Sequence, residues 1–238
     1  MSILKSTFVN ICLNFRQMLP KQPCLLCGSA STDIWCLACD ASLPYLKLAH
    51  CPLCALPTTG GAICGRCLKH PPHFSHTVAI FAYTYPMDKL IIALKYGEKF
   101  NLAKIMGHKL SACVNDYPDC IVAMPLHPVR LRERGFNQSF QLARHIGRLL
   151  SIPVLPDACQ RIVNTPSQSS LPWKQRNKNV HQAFTCDTTV AGKHVAVVDD
   201  VMTTGATLNE LALALLNAGA TKVSAWVVAR TLPHADKK

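Results

Sequence analysis

The sequence is short of acid: its 238 residues hold 13 Asp and Glu against 25 Lys and Arg. A formal charge of +12 favours an anionic partner, whether nucleic acid, a phosphorylated metabolite or a membrane surface. Charged residues make up only 16% of the chain beside 49% hydrophobic residues, which excludes a chain kept unfolded by self-repulsion. Long apolar runs are missing too. Arg, Lys, Asp or Pro breaks each one before it reaches bilayer-spanning length, so an integral membrane protein is not expected. The partly apolar stretch 8–15 is interrupted by Asn10 and Asn14, and no small-residue cleavage site follows, which argues against an export signal. A Walker A loop and a helix-turn-helix pattern are also absent, so neither an ATP-driven motor nor a regulator of that type is expected.

What the chain has in excess is cysteine, 13 in all. Without an export signal these thiols fit a reducing compartment, the cytoplasm, and metal rather than disulfides. Most fall in four C-x-x-C pairs, Cys24/Cys27, Cys36/Cys39, Cys51/Cys54 and Cys64/Cys67. A C-x-x-C knuckle offers two thiolates to one metal, and two knuckles complete a tetrahedron. Short gaps separate the first pair from the second and the third from the fourth. Two structural zinc sites follow, one on Cys24, Cys27, Cys36 and Cys39, the other on Cys51, Cys54, Cys64 and Cys67. Interleaved pairing remains open on spacing alone. Cys12, Cys113, Cys120, Cys159 and Cys186 read as ordinary thiols.

The texture divides the chain in three. Residues 1–20 read as a helical leader. Residues 21–73 are rich in Gly and Pro and form a double zinc ribbon, with metal supplying much of the folding energy of a segment with little apolar core. Residues 74–238 alternate strands with helices, which predicts an α/β domain built on a mostly parallel sheet covered on both faces. Strands are expected over 77–83, 121–124, 195–198 and 223–229. Helices are expected over 87–95, 102–114 and 208–217, with another carrying the stripe Phe140, Ala143, Ile146 and Leu150.

The richest chemistry lies at 195–208, where an apolar strand leads into Asp199-Asp200 and then Thr203-Thr204-Gly205-Ala206-Thr207. Ligands of open α/β sheets sit at the carboxyl ends of strands. Backbone N–H groups, hydroxyls and a helix N-terminus there would cradle a phosphate. Adjacent carboxylates suit two ribose hydroxyls, or Mg²⁺ held through waters. A plainer alternative is a capping box in which Thr207 and Glu210 only start a helix. A second basic element, the loop 125–135, follows the strand 121–124 and carries His127, Arg130 and Arg134. Such a loop is placed to neutralise a pyrophosphate, although a solvated basic face would look the same.

The segment 195–208 resembles the phosphoribosyl pyrophosphate (PRPP) loop of type I phosphoribosyltransferases. With the knuckles, Leu94-Lys95-Tyr96, the run Arg134-Gly135-Phe136-Asn137-Gln138-Ser139, and Thr165, Gln168, Leu171, Arg176 and Asn179, the chain resembles the competence protein F (ComF, GntX-like) family from about Cys24 to Arg230. The resemblance implies that Asp199 and Asp200 meet the ribose hydroxyls and that Thr203, Thr204, Gly205, Ala206 and Thr207 wrap the 5-phosphate. PRPP with Mg²⁺, or another ribose 5-phosphate, would be the ligand, with His127, Arg130, Arg134 and Lys95 on the pyrophosphate side. It also implies a role in handling incoming single-stranded DNA, beside a DNA-uptake helicase or recombination protein. The stretch 160–182 has no acidic residue and sets Trp173 among basic side chains. Gln168, Trp173, Lys174, Arg176 and Lys178 would there contact DNA or close a mobile loop over PRPP. The alternative function is an active phosphoribosyltransferase in nucleotide salvage or modification.

Overall fold

The computed structural model describes residues 21–46, 49–97, 99–163 and 182–233. The leader expected over 1–20 lies outside them, as do Gln168, Trp173, Lys174, Arg176 and Lys178. The chain divides into two compact units, Met1–Leu43 and Pro44–Lys238.

The first unit is a metal knuckle. Strands β1 (Gln22–Pro23) and β2 (Ala30–Ser31) pair antiparallel, and helix α1 (Leu37–Ala41) follows. The turn between the strands needs Gly28, which sits at φ 76°, a left-handed conformation that costs other residues energy. Trp35 is the anchor: it is buried and donates its indole N–H to Asp40 Oδ1 at 2.8 Å.

The second unit opens with the other knuckle, which includes helix α2 (Gly65–Lys69). Then come β3 (Thr77–Ala82), α3 (Met87–Tyr96), α4 (Phe100–Ser111), β4 (Cys120–Ala123), α5 (Pro128–Arg134) and α6 (Gln138–Leu150). A small antiparallel pair, β5 (Cys159–Arg161) and β6 (Phe184–Cys186), precedes β7 (His194–Met202), α7 (Ala206–Asn217) and β8 (Lys222–Arg230). The main sheet runs β3-β8-β7-β4 and every pairing in it is parallel. Burial on both faces explains the near-continuous apolar strands. On one face Val195, Val197, Val223, Ala225 and Val227 pack with Leu208, Leu211, Ala212 and Leu215 of α7. Alternate residues Ala196, Val198, Trp226 and Val228 are equally buried, and α4 and α6 cover that side. Among the described residues no helix is long and apolar enough to cross a membrane.

Three elements depart from the sequence reading. The basic stretch 125–135 is not all loop, because α5 occupies most of it. Pro128 at the first turn suits a helix start, His127 Nδ1 accepts from Val129 N–H, and Gly135 ends the helix at φ 80°. The strand expected over 195–198 runs on to Met202, since β8 continues beside it, with Asp199 opposite Val227 and Met202 opposite Arg230. The acid pair therefore lies within the strand. The pair β5–β6 was not expected at all; its strands are three residues long, too short for a period to show.

Candidate functional site

β4 pairs with β7 only as far as Ala123 opposite Val198, and β7 then extends four residues further. One edge of β7 is thereby left open from Asp199 onward, and the start of α6 approaches it. Asn137 caps α6, accepting from Ser139 N–H and Phe140 N–H, and its amide donates to Met124 O at 3.0 Å. This cap fixes Ser139, which is fully buried and donates its hydroxyl to Asp199 Oδ1 at 2.9 Å. Side chains alternate along a strand, so Asp200 points to the other side and meets Lys95 Nζ from the end of α3 at 2.8 Å.

The two acids consequently differ. Burial acts against the Lys95 ammonium, but Asp200 outweighs it and holds the Lys95 pKa above the ordinary lysine value. Among the described residues Asp199 has no cation at that range. Burial, reinforced by the Asp200 charge, pushes its pKa up to about 7, against the pull of Lys95 and the Ser139 hydroxyl.

Where β7 runs into α7, Asp199, Val201, Met202, Thr203, Gly205, Thr207 and Leu208 line an open recess. Gly205 is the N-cap of α7 at φ 84°, and a Cβ there would come within 2.8 Å of Met202 Cε. The chain thus turns tightly enough to aim the start of α7, with its partial positive charge, at the recess. Thr207 is the second residue of α7 and not its cap, so the capping-box alternative does not describe this turn; Glu210 Oε2 instead accepts from Gln182 N–H at 3.4 Å. Thr204 is buried, and its hydroxyl accepts from Ala206 N–H.

On the basic side the sequence candidates separate. Arg134 donates to Gln138 Oε1 at 2.6 Å and to Tyr96 Oη at 3.3 Å, with its guanidinium 5.0 Å from the Tyr96 ring centre. Arg134 thus stands beside the Lys95–Tyr96 end of α3. His127 has one ring nitrogen occupied in capping α5. Arg161 of β5 feels both the repulsion of Arg130 and the attraction of Asp199, which places all three in one electrostatic neighbourhood. Sequence reading gave Arg161 only a place in a basic stretch and gave Ser139 only a place in a motif. The partnership of Ser139 with Asp199 spans 60 residues and has no local signal.

The cysteines form two sets, Cys24, Cys27, Cys36, Cys39 and Cys51, Cys54, Cys64, Cys67, in each of which all sulfurs lie within 4.8 Å of one another. This settles consecutive over interleaved pairing. Cys27 Sγ is 3.7 Å from Cys36 Sγ, and Cys54 Sγ is 3.7 Å from Cys64 Sγ. Tetrahedral zinc with bonds of about 2.3 Å needs sulfur separations near 3.8 Å, so the sets fit zinc and leave no ligand position open. Burial opposes ionisation of Cys24 and Cys51, yet backbone N–H groups of their knuckles prevail and bring the pKa down to about 6 for Cys24 and about 7 for Cys51.

Comparison with known proteins agrees with both halves. A phosphoribosyl transferase domain model matches residues 138–238, and a double zinc ribbon model matches residues 15–68. The chain is 36% identical over 191 residues to the DNA utilization protein YhgH of Escherichia coli K12, covering 76% of this chain and 84% of that protein. It is 33% identical over 178 residues to competence protein F of Haemophilus influenzae, covering 70% and 78% of the two chains. It is 27% identical over 233 residues to competence protein ComFC of Bacillus subtilis, covering 87% and 95%. A parallel sheet of phosphoribosyltransferase type, preceded by paired zinc knuckles and aligned along most of these relatives, places the chain in the competence protein F family.

Proposed function

We propose that this protein binds PRPP or another ribose 5-phosphate in the recess at the end of β7 and serves the handling of single-stranded DNA entering the cytoplasm. The observation that carries the reading is the acid pair on β7, one carboxylate joined to Lys95 and the other facing the recess beside the start of α7. Asp199 and Asp200 take the ribose hydroxyls. Thr203, Thr204, Gly205, Ala206 and Thr207, with the helix terminus, take the 5-phosphate. Lys95, which has donors beyond the one given to Asp200, stands with His127, Arg130 and Arg134 on the pyrophosphate side. The carboxylate oxygens are donors of the hard type that Mg²⁺ prefers, and that ion would offset pyrophosphate charge when bound. Relatives named for DNA utilization and competence support the DNA role, as does the charge of +12. A DNA-uptake helicase or recombination protein is the class of partner such a role requires.

Calorimetric titration with PRPP and Mg²⁺ tests the ligand. The parent should bind, and Asp199→Asn/Asp200→Asn should lose about 100-fold in affinity, two charge-assisted hydrogen bonds' worth. Equal affinity for both proteins rejects the site. Binding to a single-stranded oligonucleotide should weaken steeply between about 50 and 200 mM salt, as counterion release demands; a flat response rejects the DNA role.

A further inference from the structure

The knuckle Cys51–Cys67 lies against the phosphate loop through two arginines. Arg230, the last residue of β8, has a fully buried side chain. Its Nε donates to Cys54 O at 2.7 Å, inside the knuckle. Its Nη1 donates to Met202 O at 3.0 Å, to Thr231 O at 2.8 Å and to Thr203 O. From the knuckle's own side, Arg66 donates to Thr204 O at 2.9 Å. Three consecutive carbonyls at the turn from β7 into α7 are therefore held by guanidinium groups, one of them shared with the knuckle and the other carried by it. Only a planar fork with five donors can serve carbonyls on two sides at once. A buried guanidinium also needs a counter-charge. Zinc held by four thiolates is net negative and would supply one.

We propose that the second zinc knuckle braces the phosphate loop, with Arg230 and Arg66 as the positioning residues that join them. Zinc at Cys51, Cys54, Cys64 and Cys67 then sets the shape of a turn whose own residues touch no metal. The inference rests on the ligand reading above for what the turn holds, but the brace has readouts that need no ligand.

Hydrogen exchange on the zinc-loaded protein, Arg66→Ala and Arg230→Lys provides the first. Amides of residues 202–207 should exchange about tenfold faster in each variant, the equivalent of one lost hydrogen bond to a charged group, while those of β4 keep their rates. Arg66 is exposed, so Arg66→Ala folds and decides the matter if Arg230→Lys does not. Unchanged exchange at 202–207 in Arg66→Ala overturns the brace. The second readout is zinc loss to a chelator, with cysteine alkylation showing which knuckle has opened. Saturating PRPP should slow opening of the Cys51–Cys67 knuckle severalfold in the parent and by less in Arg66→Ala, because coupling between two sites is reciprocal. A parent that binds PRPP with no change in zinc loss also overturns the brace. A parent that binds no PRPP defeats the ligand reading instead, and leaves hydrogen exchange to judge the brace.

Discussion

Asp199 and Asp200 are adjacent in sequence and face different surroundings. Asp200 is joined to Lys95 at 2.8 Å, while burial and the Asp200 charge raise the Asp199 pKa to about 7, with Ser139 Oγ and Asp200 N–H as its donors. The sign of the consequence is definite. An acid whose folded pKa exceeds its unfolded value of about 4 binds more protons in the folded state, so stability falls as pH rises from about 4 to 7. Denaturant titrations across that range should show this slope, and Asp199→Asn should lose its share of it. Lys95→Met should destabilise by about 3–5 kcal/mol near neutral pH by leaving Asp200 buried without its cation; urea unfolding measures this. The acid pair was legible in the sequence because two carboxylates ending an apolar strand have few structural uses. Its partners were not, since Lys95 and Ser139 reach it from helices far away in the chain, and no local pattern reports a tertiary contact.

At the scale of elements, the run Arg134–Ser139 is a joint between two helices, every residue of it with a task. Arg134 stacks on Tyr96, Gly135 ends α5, Phe136 meets the edge of Phe100, Asn137 caps α6, Gln138 receives Arg134, and Ser139 reaches Asp199. Asn137→Ala should cost about 1–2 kcal/mol, seen as a lower denaturation midpoint, and should weaken ligand binding by freeing Ser139. Periodicity gave α6 and α7 correctly because each lays one apolar stripe on the sheet. It missed α5, in which all the described side chains are at least partly exposed and which is defined by Pro128 and Gly135 at its ends. It also placed the end of β7 too early, because an acid pair reads as a strand terminus when the neighbouring strand that prolongs it is unknown.

For the molecule as a whole, zinc belongs to the fold. Elemental analysis should return about two zinc ions per chain, and prolonged chelation should unfold the Met1–Leu43 unit, whose described part has few buried apolar residues. The cysteine spacing made both sets legible, but it could not say that the second belongs with the sheet: Thr77 donates its N–H to Pro52 O and its hydroxyl to Leu53 O, contacts between segments that sequence reading put in separate domains. The antiparallel pair of Arg161 with Phe184 has a further outcome. The chain that leaves this pair returns to it, so the span between has its two ends tethered at one point whatever its length. A change in the number of residues between these two strands should therefore leave the sheet beneath undisturbed.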